Sequence, residues 1–373
     1  MLKNRGLVGL IASVWVASCG GDDAASPTAG AAGTSVAEAA GSGAGGTSLG
    51  SGGGAGRSDA AADAGASSEA ASSDVYTSSD SSILDGARPL PMRWELELGS
   101  PDYGTGALGG TGENDVWAVG TLGRAAHSAG DGRWQSRDVT GPRLTGIWAA
   151  PDNVYVSGYI NAIYRWDGSG TWDRQLTTSG SVFSAIWASG PNDLYAVGSG
   201  LFRSKGDRIW KYEQVPPADT YPFVGVWGSG PNDVWILDGP NAFHSTGDGN
   251  WVRQRTGLDP GGGAIWGSGP NDIYAINGAA VAHSTGDGRW TLQPIQLGPL
   301  NFLACIWGSG PNDIYVGGGN GTLFRSTGNG HWYSEKIDPG DELNIHIAAI
   351  WGSSSRNLYV MTSAGTYRGR PVN

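Results

Sequence analysis

Residues 264–276 read Ala-Ile-Trp-Gly-Ser-Gly-Pro-Asn-Asp-Ile-Tyr-Ala-Ile, and after a short gap residues 283–290 read His-Ser-Thr-Gly-Asp-Gly-Arg-Trp. Variants of this pair recur from about residue 93 to the end of the sequence. A repeat of this length is typical of solenoids, propellers and other arrays. The apolar residue that follows the Asn-Asp turn marks seven units, 38 to 44 residues apart, at Val116, Val154, Leu194, Val234, Ile273, Ile314 and Leu358.

Each unit divides into four short strand-like segments separated by turn residues. The Gly-Pro-Asn-Asp turn at 269–272 supplies a proline and side chains that bond their own backbone, and Gly-Asp-Gly at 286–288 permits positive φ. Apolar residues occupy both faces of the strands, as in Asp-Val-Trp-Ile-Leu at 233–237, which suits sheets stacked face to face. Four strands per roughly 40 residues predict one propeller blade, so we expect an all-β, seven-bladed β-propeller.

The tryptophan that closes each unit is displaced by one unit relative to the apolar markers. It occurs at Trp94, Trp134, Trp172, Trp210, Trp251, Trp290 and Trp332. One closing tryptophan therefore precedes the first unit, and the last unit has none. Residues 93–98 are predicted to form the outer strand of the blade whose other three strands lie at about 348–369. This one-plus-three strand closure joins the two ends of the repeat region and removes an exposed sheet edge.

The first 19 residues have the features of a bacterial export signal. Two basic residues precede an apolar run at 7–17, which is shorter than the roughly 20 residues needed to span a bilayer as a helix. The run ends in Val-Ala-Ser-Cys at 16–19, which resembles the lipobox of bacterial lipoproteins. The resemblance implies cleavage before Cys19, lipidation of this cysteine and stable membrane anchoring through its acyl chains. By the same resemblance, glycine rather than aspartate at position 20 implies the outer membrane.

Residues 20–91 are expected to form a disordered tether. They consist mostly of Ala, Gly and Ser with scattered Asp, and they have almost no apolar side chains to offset the entropy lost on ordering. Some 70 such residues reach roughly 45 Å, enough to hold a domain clear of a lipid surface. The predicted organisation is a signal peptide at 1–19, a linker at 20–91 and a propeller at 92–373.

Composition argues against several functional classes. The 373 residues include 23 Lys and Arg against 34 Asp and Glu, a net charge of −11, which disfavours binding to nucleic acid. Two cysteines exclude a disulfide framework and a cysteine-based zinc cluster, and Cys305 is expected to be a small buried hydrophobe. The Asp248 and Asp287 turns offer one carboxylate each, whereas calcium takes six to eight oxygens, so no metal or other cofactor is expected.

Two further stretches connect the repeat to a known family. Residues 195–198 read Tyr-Ala-Val-Gly, and residues 322–327 read Thr-Leu-Phe-Arg-Ser-Thr. Together with the Asp-Gly-x-Trp series, they resemble the BNR/Asp-box repeats and, more closely, the photosystem-II stability/assembly-factor-like propellers, over the whole repeat region. The chain departs from the Asp-box pattern because Ser284 and Trp290 are one residue closer together. Unit one has Gly109 where other units have Trp, and unit two is one residue short in its first turn.

One basic position recurs in all seven units, at His127, Arg165, Arg203, His244, His283, Arg325 and Arg368. It could form a ring of cationic ligands or a set of structural partners for the Asn-Asp turns, and its recurrence in every unit favours the structural role. No unrepeated Glu, Arg and Tyr set of the sialidase kind is recognisable, and no strand-turn-helix context for a nucleophile or phosphate loop. The chain is therefore expected not to be an enzyme.

The segments that join units, and those between second and third strands, vary most among the seven units. In a propeller both sets lie on one face, and loops held by a rigid scaffold carry recognition. The candidate binding residues on this face are Arg143, Tyr159, Asn161, Lys211, Tyr212, Tyr221, Phe223, Asp238, Asn241, Asn277, Phe302 and Asn320. Aromatic and amide side chains in this mixture suit either a protein patch or sugar stacking.

The sequence as a whole predicts a non-catalytic binding or scaffold propeller, exported and displayed at the bacterial cell envelope by a lipid anchor. The alternative is a carbohydrate-binding or glycoside-cleaving propeller of the BNR/sialidase kind. The expected partners are the membrane, through the anchor, and an envelope protein or glycan.

Overall fold

The apolar segments of the repeat form antiparallel strands, and the strands form seven sheets around one central axis. In this computed structural model the innermost strand of each sheet packs against that of the next sheet, and the last packs against the first. The protein is a seven-bladed β-propeller, as the repeat predicts. The structure describes residues 15–16, 89–99, 106–160, 162–176, 181–216, 222–337 and 345–372.

Each blade has four strands, ordered from the innermost to the outermost. Blade 1 consists of Ala107–Gly112, Asp115–Val119, Ala125–Ser128 and Trp134–Ser136. Blade 2 consists of Leu144–Ala150, Asn153–Gly158, Ala162–Trp166 and Trp172–Leu176. Blade 3 consists of Phe183–Gly190, Asp193–Gly198, Leu201–Ser204 and Trp210–Glu213. Blade 4 consists of Gly225–Gly230, Asp233–Leu237, Asn241–Ser245 and Val252–Arg255.

The remaining three blades follow the same order. Blade 5 consists of Gly263–Gly269, Asp272–Asn277, Val281–Ser284 and Thr291–Gln293. Blade 6 consists of Leu303–Gly310, Asp313–Gly318, Leu323–Ser326 and Tyr333–Ser334. Blade 7 consists of Ile347–Ser354, Asn357–Thr362, Gly365–Pro371 and Met92–Leu98. Helical structure in the described residues amounts to one 3-10 turn, Thr121–Gly123, and none of it is long enough to cross a bilayer.

Blade 7 confirms the one-plus-three closure. Its outer strand pairs antiparallel with the strand near the C-terminus, and Trp94 lies opposite Gly369. The indole fills the space above this glycine, because a Cβ at Gly369 would lie 2.5 Å from the ring. Arg368 Nη1 in turn lies 3.1 Å from Glu97 Oε1, in an ion pair whose side chains are nearly buried. Strand pairing, packing and charge thus all tie the two ends of the ring together.

Neighbouring blades interlock through an indole on one blade and a glycine on the next. A Cβ at Gly228 of blade 4 would lie 2.6 Å from the ring of Trp187 in blade 3. Equivalent contacts join blades 4 and 5, 5 and 6, 6 and 7, and 7 and 1. Blade 1 has Gly109 in place of the tryptophan, and blade 2 accordingly has Ala149 rather than glycine. At the junction of blades 2 and 3, an alanine takes the place of the glycine, because Ala188 packs in the same hydrophobic cluster as Trp148.

The outer tryptophans form a second set of links between blades. Trp290 Nε1 donates to Gln254 Oε1 of the preceding blade at 2.9 Å, and Trp332 Nε1 donates to Gln293 Oε1 at 3.0 Å. Each acceptor stands three residues after the outer tryptophan of its own blade. The tryptophan that closes one repeat therefore also fixes the position of its blade relative to the previous one.

The two kinds of connection that vary most lie on the same face. The turn after the second strand bonds to the segment that enters the first strand, as in Tyr159 N to Arg143 O at 3.0 Å and Gly319 N to Phe302 O at 2.9 Å. We call this face the loop face. The opposite face, which carries the turns between first and second strands, is called the hairpin face.

A two-residue strand, Trp15–Val16, pairs antiparallel with the innermost strand of blade 6, opposite Ile306 and Cys305. It contacts the innermost strands of all seven blades and thus lies in the central channel. Cys305 is fully buried, as predicted, and burial raises the pKa of its thiol. Cys19 and the predicted tether up to residue 88 lie outside the described residues, so lipidation and disorder stay predictions.

Candidate functional site on the loop face

The basic side chains that recur on the third strands have a structural role. In every blade the His or Arg hydrogen-bonds the Asp or Asn that begins the second strand, at 2.7–3.0 Å. Each also stacks on the aromatic ring of the second strand, at 4.2–6.0 Å. The pairs are His127–Asp115, Arg165–Asn153, Arg203–Asp193, His244–Asp233, His283–Asp272, Arg325–Asp313 and Arg368–Asn357. In each blade, this pair of side chains therefore links the second strand, the third strand and the first turn.

Three of the paired carboxyls are held in the ionised form. Burial raises the pKa of Asp115, Asp233 and Asp272, but hydrogen bonds from the paired histidine and from a nearby Ser or Thr hydroxyl outweigh burial. The pKa of each carboxyl therefore lies below its ordinary value. The lowered pKa reflects turn anchoring and marks no reactive group.

Two candidates of the predicted binding surface, Phe223 and Asn277, are buried. Phe223 packs edge-on against Phe243, with ring centroids 5.8 Å apart. Asn277 Oδ1 accepts hydrogen bonds from the backbone N–H groups of Ala279 and Ala280 at 3.0 and 2.9 Å. The prediction that these two residues face a ligand is wrong, because one fills the core and the other holds its own turn.

Asp238, in the turn after the second strand of blade 4, and Asn241, the first residue of its third strand, are also fully buried. Asn241 Nδ2 donates to Asp238 Oδ1 at 3.0 Å, and Arg253 Nε donates to Asn241 Oδ1 at 2.9 Å. A buried polar group must find such partners, and here they come from the same blade. Their predicted place on an exposed binding surface is wrong as well.

Lys211 and Tyr212 lie elsewhere on the molecule. Both are exposed, but they belong to the outer strand of blade 3 and therefore face the rim of the propeller. Asn161 and Tyr221 lie outside the described residues, so their predicted role is untested.

The other four candidates lie on the loop face beside the entrance to the central channel. The Arg143 guanidinium is 5.5 Å from the centre of the Tyr159 ring. The Phe302 ring stacks on His346, with centroids 5.4 Å apart and planes inclined by 29°. Asn320 Nδ2 donates to the Leu300 carbonyl at 2.7 Å, next to Phe302. We call Arg143, Tyr159, Phe302, Asn320 and His346 the mouth cluster.

His346 connects the two halves of the mouth cluster and was missed by sequence reasoning. Burial lowers its pKa, and the positive charge of Arg143 lowers it further, so Arg143 and His346 interact electrostatically. A positional signal exists in the sequence. Arg143, Phe302 and His346 each stand five residues before the inner-strand tryptophan of their blade. The same position holds Val182, Pro222 and Gly261 in blades 3 to 5, so the cluster occupies one side of the mouth.

Strained apolar residues flank the mouth cluster. Leu122, Ile160 and Leu300 have φ values of +52°, +57° and +64°, in the left-handed region that side-chain-bearing residues rarely adopt. These residues are 76%, 69% and 89% exposed. Exposed apolar side chains on strained backbone contribute little to folding, and such strain concentrates at functional positions. The surface around the mouth cluster is therefore suited to contact a partner.

Among the described residues, no group of three or more His, Cys, Asp or Glu is placed to hold a metal ion. The mouth cluster contains a cation, a histidine, two other aromatic rings and an amide. This set can bind and orient a ligand through stacking, hydrogen bonds and charge.

No protein-family model matches the chain, and no curated protein matches it. Solved structures that are similar to it include YCF48 bound to a D1 peptide, with a TM-score of 0.60 and 17% identity. That match covers 77% of this chain and 100% of the YCF48 chain. YCF48 from Cyanidioschyzon merolae matches with a TM-score of 0.59 and 16% identity, over 74% of this chain and 98% of that one.

The WD40 β-propeller domain of Doa1 matches to a similar degree. Its TM-score is 0.61 at 13% identity, over 76% of this chain and 98% of the domain. Identities this low show a shared fold alone. The likeness to the YCF48 propellers agrees with the assembly-factor-like fold that the repeat motifs imply.

Proposed function

We propose that this protein is a non-catalytic scaffold propeller that binds a segment of another protein at the mouth cluster. The observation that carries the proposal is the uneven distribution of side chains around the entrance to the central channel. Cationic, aromatic and strained apolar residues collect on the side formed by blades 6, 7, 1 and 2, and small or apolar residues occupy the same position on the other side.

The chemistry of the mouth cluster fits a peptide better than a compact polar ligand. Leu122, Ile160 and Leu300 offer apolar contact area, and Arg143 with Tyr159 offers a cation beside an aromatic face. Arginine and aromatic residues are enriched among the side chains that dominate protein interfaces. The structural neighbour YCF48 was solved with a D1 peptide, which supports peptide binding as a use of this architecture.

Site-specific photo-crosslinking in the full chain tests the proposal. A photoreactive residue at Ile160 or at Leu300 is expected to capture the same envelope protein, because both flank the mouth cluster. The matched control is Val252, which is 62% exposed on the outer strand of blade 4. Equal capture of that protein from Val252 would contradict the proposal.

Substitutions separate the mouth from the rest of the surface. Arg143→Ala is expected to weaken binding of the captured protein by about tenfold or more, as for an interface hot spot. Lys211→Ala, which removes an exposed cation from the rim, is expected to leave the affinity unchanged. If both variants bind like the wild type, the mouth is not the binding site.

We further propose that the propeller is displayed at the bacterial envelope, with the outer membrane as its location and Cys19 as its lipid anchor. The motif at 16–19 and the tether composition at 20–91 support this proposal. Cleavage before Cys19 would also remove Trp15–Val16 from the channel. Metabolic labelling with a palmitate analogue should mark the wild type and not Cys19→Ser, and fractionation should move that variant out of the membrane pellet. Labelling of Cys19→Ser would contradict the anchor.

A further inference from the structure

The junction of blades 1 and 2 differs from the other blade junctions. Gly109 replaces the inner tryptophan of blade 1, and the first turn of blade 2 is one residue short. The third strand of blade 2 ends in Trp166, where the other blades have serine or glycine. Between the two blades lies a cleft of about 410 Å³, which is within the range of small-molecule sites. We call it the blade 1–2 cleft, and it opens on the hairpin face, away from the mouth cluster.

One wall of the cleft is aromatic. Trp166 is half-buried, and its ring packs against Trp117 at 6.0 Å and Trp172 at 5.4 Å. The Arg137 guanidinium lies 5.8 Å from the Trp166 ring centre. The cleft therefore presents part of an indole with a fixed cation beside it.

The polar lining offers both donors and acceptors. The Asp152 carboxylate is exposed and bonds to no other described residue, and the Trp166 indole N–H is neither buried nor bonded. Asn153 Oδ1 accepts from Arg165 Nε at 2.8 Å, which leaves the amide N–H groups of Asn153 available. Asp115 adds no free acceptor, because its oxygens already take bonds from its own blade.

These features narrow the class of ligand. A cation is disfavoured, because Arg137 already lies against the indole, and an anion is disfavoured by the two carboxylates in the lining. A purely apolar group would leave the donors and acceptors without partners. A neutral polyhydroxylated ring meets all the conditions, since its C–H face can pack on an indole and each hydroxyl both donates and accepts.

We propose that the blade 1–2 cleft binds a neutral sugar. The Trp166 ring packs against the pyranose face and its N–H donates to a hydroxyl. Asp152 accepts from one or two hydroxyls, and Asn153 Nδ2 donates to another. This site is separate from the mouth cluster, so the protein would combine a protein-binding face with a glycan-binding cleft.

Titration of the full chain with glucose, galactose and N-acetylglucosamine, followed by tryptophan fluorescence, tests the proposal. At least one of these sugars should saturate a single site. Asp152→Gly should lower the affinity about tenfold, because it removes a charged acceptor. The backbone of Asp152 is left-handed, with φ +63°, and glycine adopts this conformation without strain, so the variant should keep the fold. Trp166→Phe should also weaken binding, because it keeps a ring but removes the indole donor.

Two control variants locate the effect. Asn271→Gly makes the equivalent change in the first turn of blade 5, and Arg143→Gln changes the mouth cluster. Both should bind the sugar like the wild type. The proposal is overturned if none of the three sugars binds, or if Asp152→Gly and Trp166→Phe bind like the wild type. The sugar proposal is also overturned if tetramethylammonium or inorganic phosphate binds saturably and this binding is lost in both cleft variants. The cleft would then be a site for that ion.

Discussion

At the scale of single residues, the paired His and Asp side chains show how one repeated position can look functional and act structurally. His283 joins Asp272 at 2.8 Å and stacks on Tyr274 at 4.3 Å. Blades 2 and 7 replace this pair by Arg and Asn in the same geometry. The position therefore keeps a hydrogen bond across the sheet, and the charge of either partner is secondary.

Asp272→Asn should lower the melting temperature at pH 7, because it weakens a hydrogen bond to a charged group, which contributes about 1.5–3 kcal/mol. The pKa of Asp272 is lowered in the folded protein, so its contribution is full above the unfolded value of 3.8 and is lost as pH falls through the folded value. The difference in melting temperature between variant and wild type should therefore shrink below about pH 3.8. Asp272→Asn with His283→Arg, which copies blade 7, should recover stability at pH 7. A difference that grows on acidification would contradict this account.

Arg143→Gln should raise the pKa of His346, because it removes the positive charge that lowers that pKa in addition to burial. The histidine signal in NMR titration would report the change, with Lys211→Gln as the control. The lowered pKa of His346 also makes the stability of the protein depend on pH. Because the folded state resists protonation of His346, this group makes the wild type less stable as pH falls below about 6.5, and this loss should be smaller in Arg143→Gln. An unchanged His346 titration in Arg143→Gln would show that Arg143 does not influence His346.

At the scale of elements, the blades interlock because a bulky indole needs a neighbour without a side chain. The strand that carries Gly228 meets the Trp187 ring and also the Asp233 carbonyl, which a Cβ at Gly228 would approach to 2.4 Å. Two residues further along the same strand, Gly230 has open space around it. The two glycines therefore have different reasons to occur in the repeat.

Gly228→Ala should destabilise the propeller by roughly 1–3 kcal/mol, because the added methyl group overpacks the junction of blades 3 and 4. Gly230→Ala should change stability by less than about 0.5 kcal/mol, since its methyl group meets nothing. Denaturant unfolding of both variants measures the difference. Equal effects would show that the indole contact does not restrict this strand.

At the scale of the whole molecule, the ring is closed by residues from opposite ends of the repeat region. Met92–Leu98 pairs with Gly365–Pro371, and Arg325 Nη1 donates to the Leu90 carbonyl at 2.8 Å. Closure also brings blades 7 and 1 together, and the positive charge of Arg143, at the entry to blade 2, lowers the pKa of His346 at the entry to blade 7. The mouth cluster therefore depends on the closure.

Removal of residues 92–98 should lower the melting temperature by about 10 °C or more, because blade 7 loses its outer strand and the packing of Trp94. It should also weaken binding of the partner captured at the mouth. Removal of residues 22–85 from the predicted tether is the matched deletion and should leave the melting temperature unchanged. An unaffected melting temperature after removal of 92–98 would contradict the closure.

The number of blades, the strand order and the closure could be predicted because each follows from a local pattern repeated seven times. Turn residues and apolar strands determine backbone hydrogen bonds nearby, and the displaced tryptophan at 94 marks where the ends meet. The pairing of the His and Arg side chains on the third strands with the first turns follows from the same repetition. Adjacent strands bring these positions together in every blade.

The binding surface was decided only by the tertiary structure. Asp238 and Asn277 have the composition of ligand-binding loops, yet they are buried because each satisfies polar groups of its own turn or blade. Arg143 and His346 are distant in sequence, and the charge of Arg143 lowers the pKa of His346 only because the ring closes. The blade 1–2 cleft arises from Gly109 and Trp166 on different blades. A local pattern determines backbone pairing, whereas side-chain burial and neighbours across blades depend on how the closed ring packs.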